Sequence, residues 1–200
     1  GKSTTLAAMI DHLNQTRRLN IISLEDPIEF VHRSKQSQVI QRELHTHLPS
    51  FAEGVRAAMR EDPDVILVGE LRDAETVRWA MTAAETGHLV LGTLHTTSAV
   101  KTIDRMVDAL PAEEREQTKS FLSQSLIAVV TQVLCKTLDN QGRKAVCEVM
   151  VMTKAIADRI RVTPAEVRRR LRDAEQLAPR TTLIGEALPA ELPATASAWH

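Results

Sequence analysis

Between Lys2 and Thr16 the apolar residues Leu6, Ala7, Met9, Ile10 and Leu13 recur at helical spacing, which predicts a helix over 2–16. The pattern then changes. Asn20-Ile21-Ile22-Ser23-Leu24 reads as a short buried strand ended by Glu25-Asp26-Pro27, and Gln38-Val39-Ile40-Gln41 as a weaker one. Ser50 stands where an N-cap is needed, with Glu53 at the capping-box position, so a helix is expected over about 51–61 and is stopped by Asp62-Pro63. Val65-Ile66-Leu67-Val68 is a continuous apolar run, the signature of a strand covered on both faces of a parallel sheet. Asp73 caps a helix over about 74–86 that Gly87 closes, Leu89–Leu94 forms the next strand, and Ser98 opens another helix. Strands alternating with helices from residue 20 to about 108 predict an α/β fold with a mainly parallel sheet.

Beyond Pro111, the spacing to about residue 133 predicts two further helices. Val133–Cys135 and Ala145–Met150 flank Asn140-Gln141-Gly142, a hairpin signal. A short helix follows at 153–161. Thr163-Pro164-Ala165-Glu166 is a capping box that opens a helix to about 177, and the Pro- and Ala-rich stretch after Pro179 reads as a loose tail. The expected division is a core over 1–161 and a helical C-terminal segment with its tail over 162–200.

Composition narrows the function. A net charge of −1 provides no basic field for a nucleic acid or an anionic membrane, and 2% aromatic residues provide no stacking platform for single strands. No apolar run approaches the length needed to span a bilayer. The two cysteines, Cys135 and Cys147, have neither metal-pair spacing nor the number for a disulfide framework.

Four short segments carry the chemistry. Gly1-Lys2-Ser3 matches the last three positions of the phosphate loop G-x-x-x-x-G-K-[ST]: N–H groups at a helix start face phosphates, the lysine neutralises their charge, and the hydroxyl serves Mg²⁺. The front of that motif lies upstream of Gly1, so the chain by itself is expected to bind ATP poorly and hydrolyse it negligibly. Val65–Glu70 is an apolar strand ending in a carboxylate at the edge where α/β folds bind ligands. Glu25-Asp26-Pro27-Ile28-Glu29 places three carboxylates in five residues after a strand, where one can orient or deprotonate a water. His88 and His95 bracket the Leu89–Leu94 strand. Their odd separation sends them to opposite faces if the strand runs unbroken, which makes them poor ligands for one shared metal. Each segment taken alone also reads blandly, as a helix start, a turn of solvated acids, a core strand or a capping histidine.

Together, in this order and spacing, the segments resemble the type II/IV secretion ATPases, in their pilus-retraction (PilT-like) branch. Gly1-Lys2-Ser3-Thr4-Thr5 looks like the end of that family's Walker A motif, and Leu24–Phe30 like its Asp box. Arg60–Asp73 is similar to its Walker B segment, and Thr86-Gly87-His88 through His95-Thr96 to its His box. Thr102–Asp108 with Pro111–Glu114 looks like the retraction branch, and no four-cysteine zinc module of the extension type is present in the sequence. At 155–162 the branch usually carries A-I-R-x-x-I-R-E; here Ala157 replaces the first basic residue and Val162 the final acid.

The resemblance implies a RecA-like P-loop NTPase core that hydrolyses ATP with Mg²⁺. Gly1, Lys2, Ser3 and Thr4 would hold the phosphates, and Ser3 and Glu70 would hold Mg²⁺, Glu70 through its water shell. Glu29 would be the general base, and His88 and His95 would sense the γ-phosphate and pass its state to a neighbouring subunit. Arg72 and Arg105 are weaker candidates at an interface. It further implies a homo-oligomer, a hexameric ring in the cytoplasm docked on an inner-membrane pilus platform protein, that drives twitching motility. The alternatives are a non-catalytic regulatory paralogue within such a ring and, less compatible with the composition, a nucleic-acid motor.

Overall fold

The computed structural model describes residues 1–138 and 141–161. The elements run α1 (Lys2–Thr16), β1 (Asn20–Glu25), β2 (Gln38–Glu43), α2 (Phe51–Ala58), β3 (Val65–Val68), α3 (Ala74–Glu85), β4 (Leu89–Gly92) and α4 (Ala99–Asp108). After these come a 3₁₀ turn (Ala112–Glu114), α5 (Arg115–Ser125), β5 (Ala128–Lys136), β6 (Arg143–Val151) and α6 (Lys154–Arg161). The first four strands form one all-parallel sheet of order β2-β1-β3-β4. The α/β reading therefore holds, and so do the caps: Ser50, Asp73 and Ser98 each accept the backbone N–H three residues on. Gly87 follows α3 at φ +101°, a left-handed position that suits a residue without Cβ.

The sheet is buried on both faces because β3 is apolar throughout and β1 carries Ile21, Ile22 and Leu24 at its centre. Ile22, Leu24, Ile66 and Val68 pack towards α2 and α3 with Val55, Val77 and Ala83, while Ile21, Val65 and Leu67 pack with Ile10 of α1. Period-2 alternation within β1 and β3 thus feeds two half-cores, one on each side.

Two expectations are corrected. The segment after Pro111 contains a 3₁₀ turn and one helix, and residues 128–132, expected in helix, extend the expected Val133–Cys135 strand back to Ala128. Ile127, Val129, Val130, Thr131 and Val133 are β-branched and stiff at χ1, a crowding that favours the pleated backbone. β5 pairs antiparallel with β6 from Ala128↔Val151 to Lys136↔Arg143. The strand expected to reach Leu94 stops at Gly92, so the premise of an unbroken strand between the two histidines fails. Part of the Asn140-Gln141-Gly142 turn, the helix expected from Thr163 and the tail after Pro179 lie outside the described residues.

Gly69 marks how tightly β1 and β3 end together. Its N–H donates to the Leu24 carbonyl at 2.7 Å, and a Cβ there would lie 3.0 Å from that oxygen and 3.3 Å from Glu25 Cα. Both obstacles are backbone and cannot swing aside. Gly69→Ala is expected to destabilise the fold by about 1–3 kcal/mol, an overpacking cost. Urea unfolding measures it, and an unchanged midpoint would show that the strand ends have slack.

Candidate active site

The four parallel strands end at Glu25, Glu43, Val68 and Gly92, and the segments that follow them carry most of the polar side chains singled out from the sequence. A cleft of about 270 Å³ opens at this edge, lined by Lys2, Ser3, Glu29, Glu70 and His95 among others. Residues separated by up to 93 positions meet there because every strand of a parallel sheet delivers its C-terminal end to the same side.

The first turn of α1 provides one wall. Gly1 is its N-cap and has no capping side chain, so the helix start is not closed by a side chain of its own. Lys2 Nζ donates to the Leu94 carbonyl at 3.2 Å, which ties the helix start to the segment after β4. Ser3 Oγ donates to Glu29 Oε1 at 2.7 Å. Thr4 is exposed and, like Gly1, does not line the cleft.

Glu70 follows β3 by one glycine and is largely covered, with a side chain 19% exposed. Arg72 Nε donates to its Oε2 at 2.7 Å, while Arg72 reaches Asp26 at 3.9 Å. On the other oxygen of Glu70, His95 Nε2 stands at 3.5 Å. A largely covered carboxylate is thereby compensated by a guanidinium that is itself 60% exposed. Arg105 borders the same corner beside Arg72 and His95.

His88 is placed elsewhere. It precedes β4, so it sits at the N-terminal edge of the sheet, a strand length of about 13 Å from the cleft side. Its Nδ1 lies 2.8 Å from the Ala83 carbonyl and 3.1 Å from Thr86 Oγ1, partners at the end of α3. Within one chain it does not join His95 in the cleft.

The loop bearing Glu29 has no helix or strand of its own, and side chains from other elements hold it. Gln41 Nε2 donates to the Phe30 carbonyl at 2.8 Å and to Glu25 Oε1 at 2.9 Å, and its Oε1 accepts the His32 N–H at 2.7 Å. Glu43 Oε2 accepts the Ile28 N–H at 3.0 Å. That amide, and then the Thr46 hydroxyl, hold the Glu43 carboxyl below its ordinary value of 4.5, against the opposing pull of partial burial. Farther along the loop, buried Asn14 of α1 donates to the Arg33 carbonyl and accepts the Lys35 N–H. Reading the sequence for motifs missed Gln41, Glu43 and Asn14. The trace they leave is small: polar residues two apart on a strand otherwise apolar at Val39 and Ile40, and one asparagine in an apolar helical stripe.

The donor set suits a hard cation bound with a polyphosphate. Ser3 offers a hydroxyl oxygen and Glu70 a carboxylate, and no cluster of three or more His, Cys, Asp and Glu able to hold a metal occurs among the described residues. Mg²⁺ is ordinarily held by one or two such side chains together with water and phosphate oxygens, not by an all-protein cage.

Comparison with known proteins identifies the family. The family model for the type II/IV secretion system protein matches residues 1–170. The chain is 59% identical over 161 residues to the twitching motility protein of Neisseria gonorrhoeae, covering 80% of this chain and 43% of that one. It is 60% identical over 161 residues to the type IV pilus retraction ATPase PilT of Pseudomonas aeruginosa, covering 80% and 46%. It thus spans less than half the length of these two relatives. Among solved structures, the pilus retraction motor PilT with bound ADP superposes with a TM-score of 0.78 at 47% identity, over 88% of this chain and 50% of that chain. The Legionella pneumophila ATPase DotB gives the same TM-score at 37% identity, over 88% and 49%.

Proposed function

Because the chain belongs to the type II/IV secretion system protein family, we propose that it is the ATP-hydrolysing half of a motor subunit that retracts type IV pili. The observation that carries this reading is the convergence of Lys2, Ser3, Glu29, Glu70 and His95 on one cleft at the carboxyl edge of a parallel sheet. Similarity to a twitching motility protein and to a retraction ATPase at about 60% identity supports the machine served. The ADP seen in the related motor supports the ligand class.

The proposed reaction is attack of water on the γ-phosphorus of ATP. An O–P bond forms, the bond to the β-phosphate oxygen breaks, and ADP leaves. The phosphates bind at the first turn of α1, where the helix N-terminus and the Lys2 ammonium favour negative charge. Glu29, whose carboxylate is 2.7 Å from Ser3 Oγ, takes the proton of the attacking water. Mg²⁺ supplies Lewis-acid neutralisation of phosphate charge, with Ser3 and Glu70 as the side chains that would hold it. His95, beside Glu70 and largely exposed, is the candidate γ-phosphate contact. The position of His88 at the other edge of the sheet assigns it no contact in this cleft, and a role towards a neighbouring subunit is what remains for it.

We read residues 1–161 as the catalytic core and 162–200 as a separate segment of unassigned role. A homo-hexameric ring at the cytoplasmic side of the inner membrane, docked on the pilus platform protein, completes the proposal. No described helix is long and apolar enough to cross a membrane.

The test is Mg²⁺-dependent ATP turnover of the full-length protein beside Glu70→Ala. Turnover in the parent and a fall of about 10²-fold or more in the variant is the expected pair, the size typical of losing transition-state charge stabilisation. No turnover in the assembled parent would instead assign this chain a regulatory place in the ring.

A further inference from the structure

The loop that carries Glu29 is gripped on both sides of that residue by two side chains of one strand. Gln41 and Glu43 are two apart on β2, so both project to the same face of the sheet. That face meets the segment 25–32. Glu43 takes the N–H of Ile28, the residue immediately before Glu29. Gln41 takes the carbonyl of Phe30, the residue immediately after it, and the N–H of His32. The same amide reaches back to Glu25 Oε1, where the loop leaves β1. Its orientation is dictated by these partners, since a backbone N–H needs the oxygen and a carbonyl needs the NH₂.

We propose that Gln41 and Glu43 are positioning residues for Glu29, gripping its loop fore and aft so that its carboxylate stays at Ser3 and addresses the water. The inference rests on the reading of Glu29 as the base. Its physical ground is that Glu29 is exposed, belongs to no helix or strand, and has Ser3 Oγ as the hydrogen-bond partner of its carboxylate. An exposed glutamate on a segment without a backbone ladder is placed only as well as that segment is placed. β2 provides the rigid support, because its own register with β1 puts Gln41 opposite Ser23 and Glu43 opposite Glu25. The grip is independent of the phosphate-binding residues, which stand on α1.

Gln41→Ala and Glu43→Ala in the full-length protein are expected to lower kcat by about 10²-fold, the penalty of a displacement near 1 Å at a reacting group. ADP affinity, measured by calorimetry, is expected to stay at the wild-type value, since Lys2 and Ser3 are untouched. Glu43→Gln keeps an oxygen for the Ile28 N–H and is expected to restore most of the turnover. In a Glu29→Gln background, neither alanine change lowers kcat further if it acts through Glu29. Thermal unfolding of the same set separates this from general destabilisation, which shifts the midpoint alike in both backgrounds.

Wild-type kcat in Gln41→Ala and Glu43→Ala, alongside a collapsed Glu29→Gln, overturns the positioning role and leaves the base assignment standing. Multiplicative losses in the double variants overturn it also, because they mean an action that bypasses Glu29. Wild-type kcat in Glu29→Gln removes the base assignment and this inference with it.

Discussion

Glu29→Gln in the full-length protein is expected to lower ATP turnover by about 10²- to 10⁴-fold, the range for losing a positioned general base, with ADP affinity unchanged. The substitution preserves shape and length. Its amide oxygen still accepts the Ser3 hydroxyl that now donates to Glu29 Oε1, so the loop keeps its place and only the capacity to take a proton disappears. Steady-state phosphate release gives kcat, and calorimetry gives the affinity. The result is informative because, besides Glu70 assigned to the cation, two other carboxylates line the cleft. Glu25 is already engaged, its Oε1 accepting from both Ser23 and Gln41, and Asp26 leans towards Arg72 at 3.9 Å. Turnover retained in Glu29→Gln would shift the base to one of these, with Asp26 the better placed because it is the less committed.

Lys2→Ala is expected to weaken ADP and ATP binding by about 30-fold or more, since removing one partner of a close charge pair costs about 2–5 kcal/mol and each 1.4 kcal/mol is tenfold. The same change removes the 3.2 Å bond from Nζ to the Leu94 carbonyl, a contribution of about 1 kcal/mol to stability. Affinity therefore falls far more than the unfolding midpoint moves. Nucleotide titration of the variant beside a thermal melt distinguishes the two effects. Unchanged ADP affinity would remove the phosphates from the start of α1 and with them the reading of the whole cleft.

Local chemistry was well written along the chain. The helix over Lys2–Thr16, the buried run Val65–Val68, and the caps at Ser50, Asp73 and Ser98 depend on contacts within a few residues, so periodicity and capping rules reach them. The hairpin of Val133–Cys135 with Ala145–Met150 was legible, but its extension back to Ala128 escaped because apolar spacing in a short run fits a helix and a strand equally well. Its pairing with β6 is a contact between residues up to 23 apart. The family resemblance carried the same limit in another form. It grouped His88 with His95 through a shared motif, while the fold separates them across the length of β4 and ties His88 to Ala83 and Thr86 at the end of α3.

By itself, then, the sequence determined the alternation of strands and helices, the residue types able to bind phosphate, cation and proton, and the order in which they come. Only the tertiary structure decided which of them share a cleft. Strand order β2-β1-β3-β4 is not a property of spacing: it brings Glu25, Gly69 and Thr93 to one edge, and by setting β2 beside β1 it lays Gln41 and Glu43 under the Glu29 loop. By setting β4 beside β3 it also brings His95 to Glu70. These are hydrogen bonds and ion pairs whose distances are set by register between non-adjacent segments, and register is fixed by burying two apolar faces at once, a condition on the whole sheet and not on any one stretch of it.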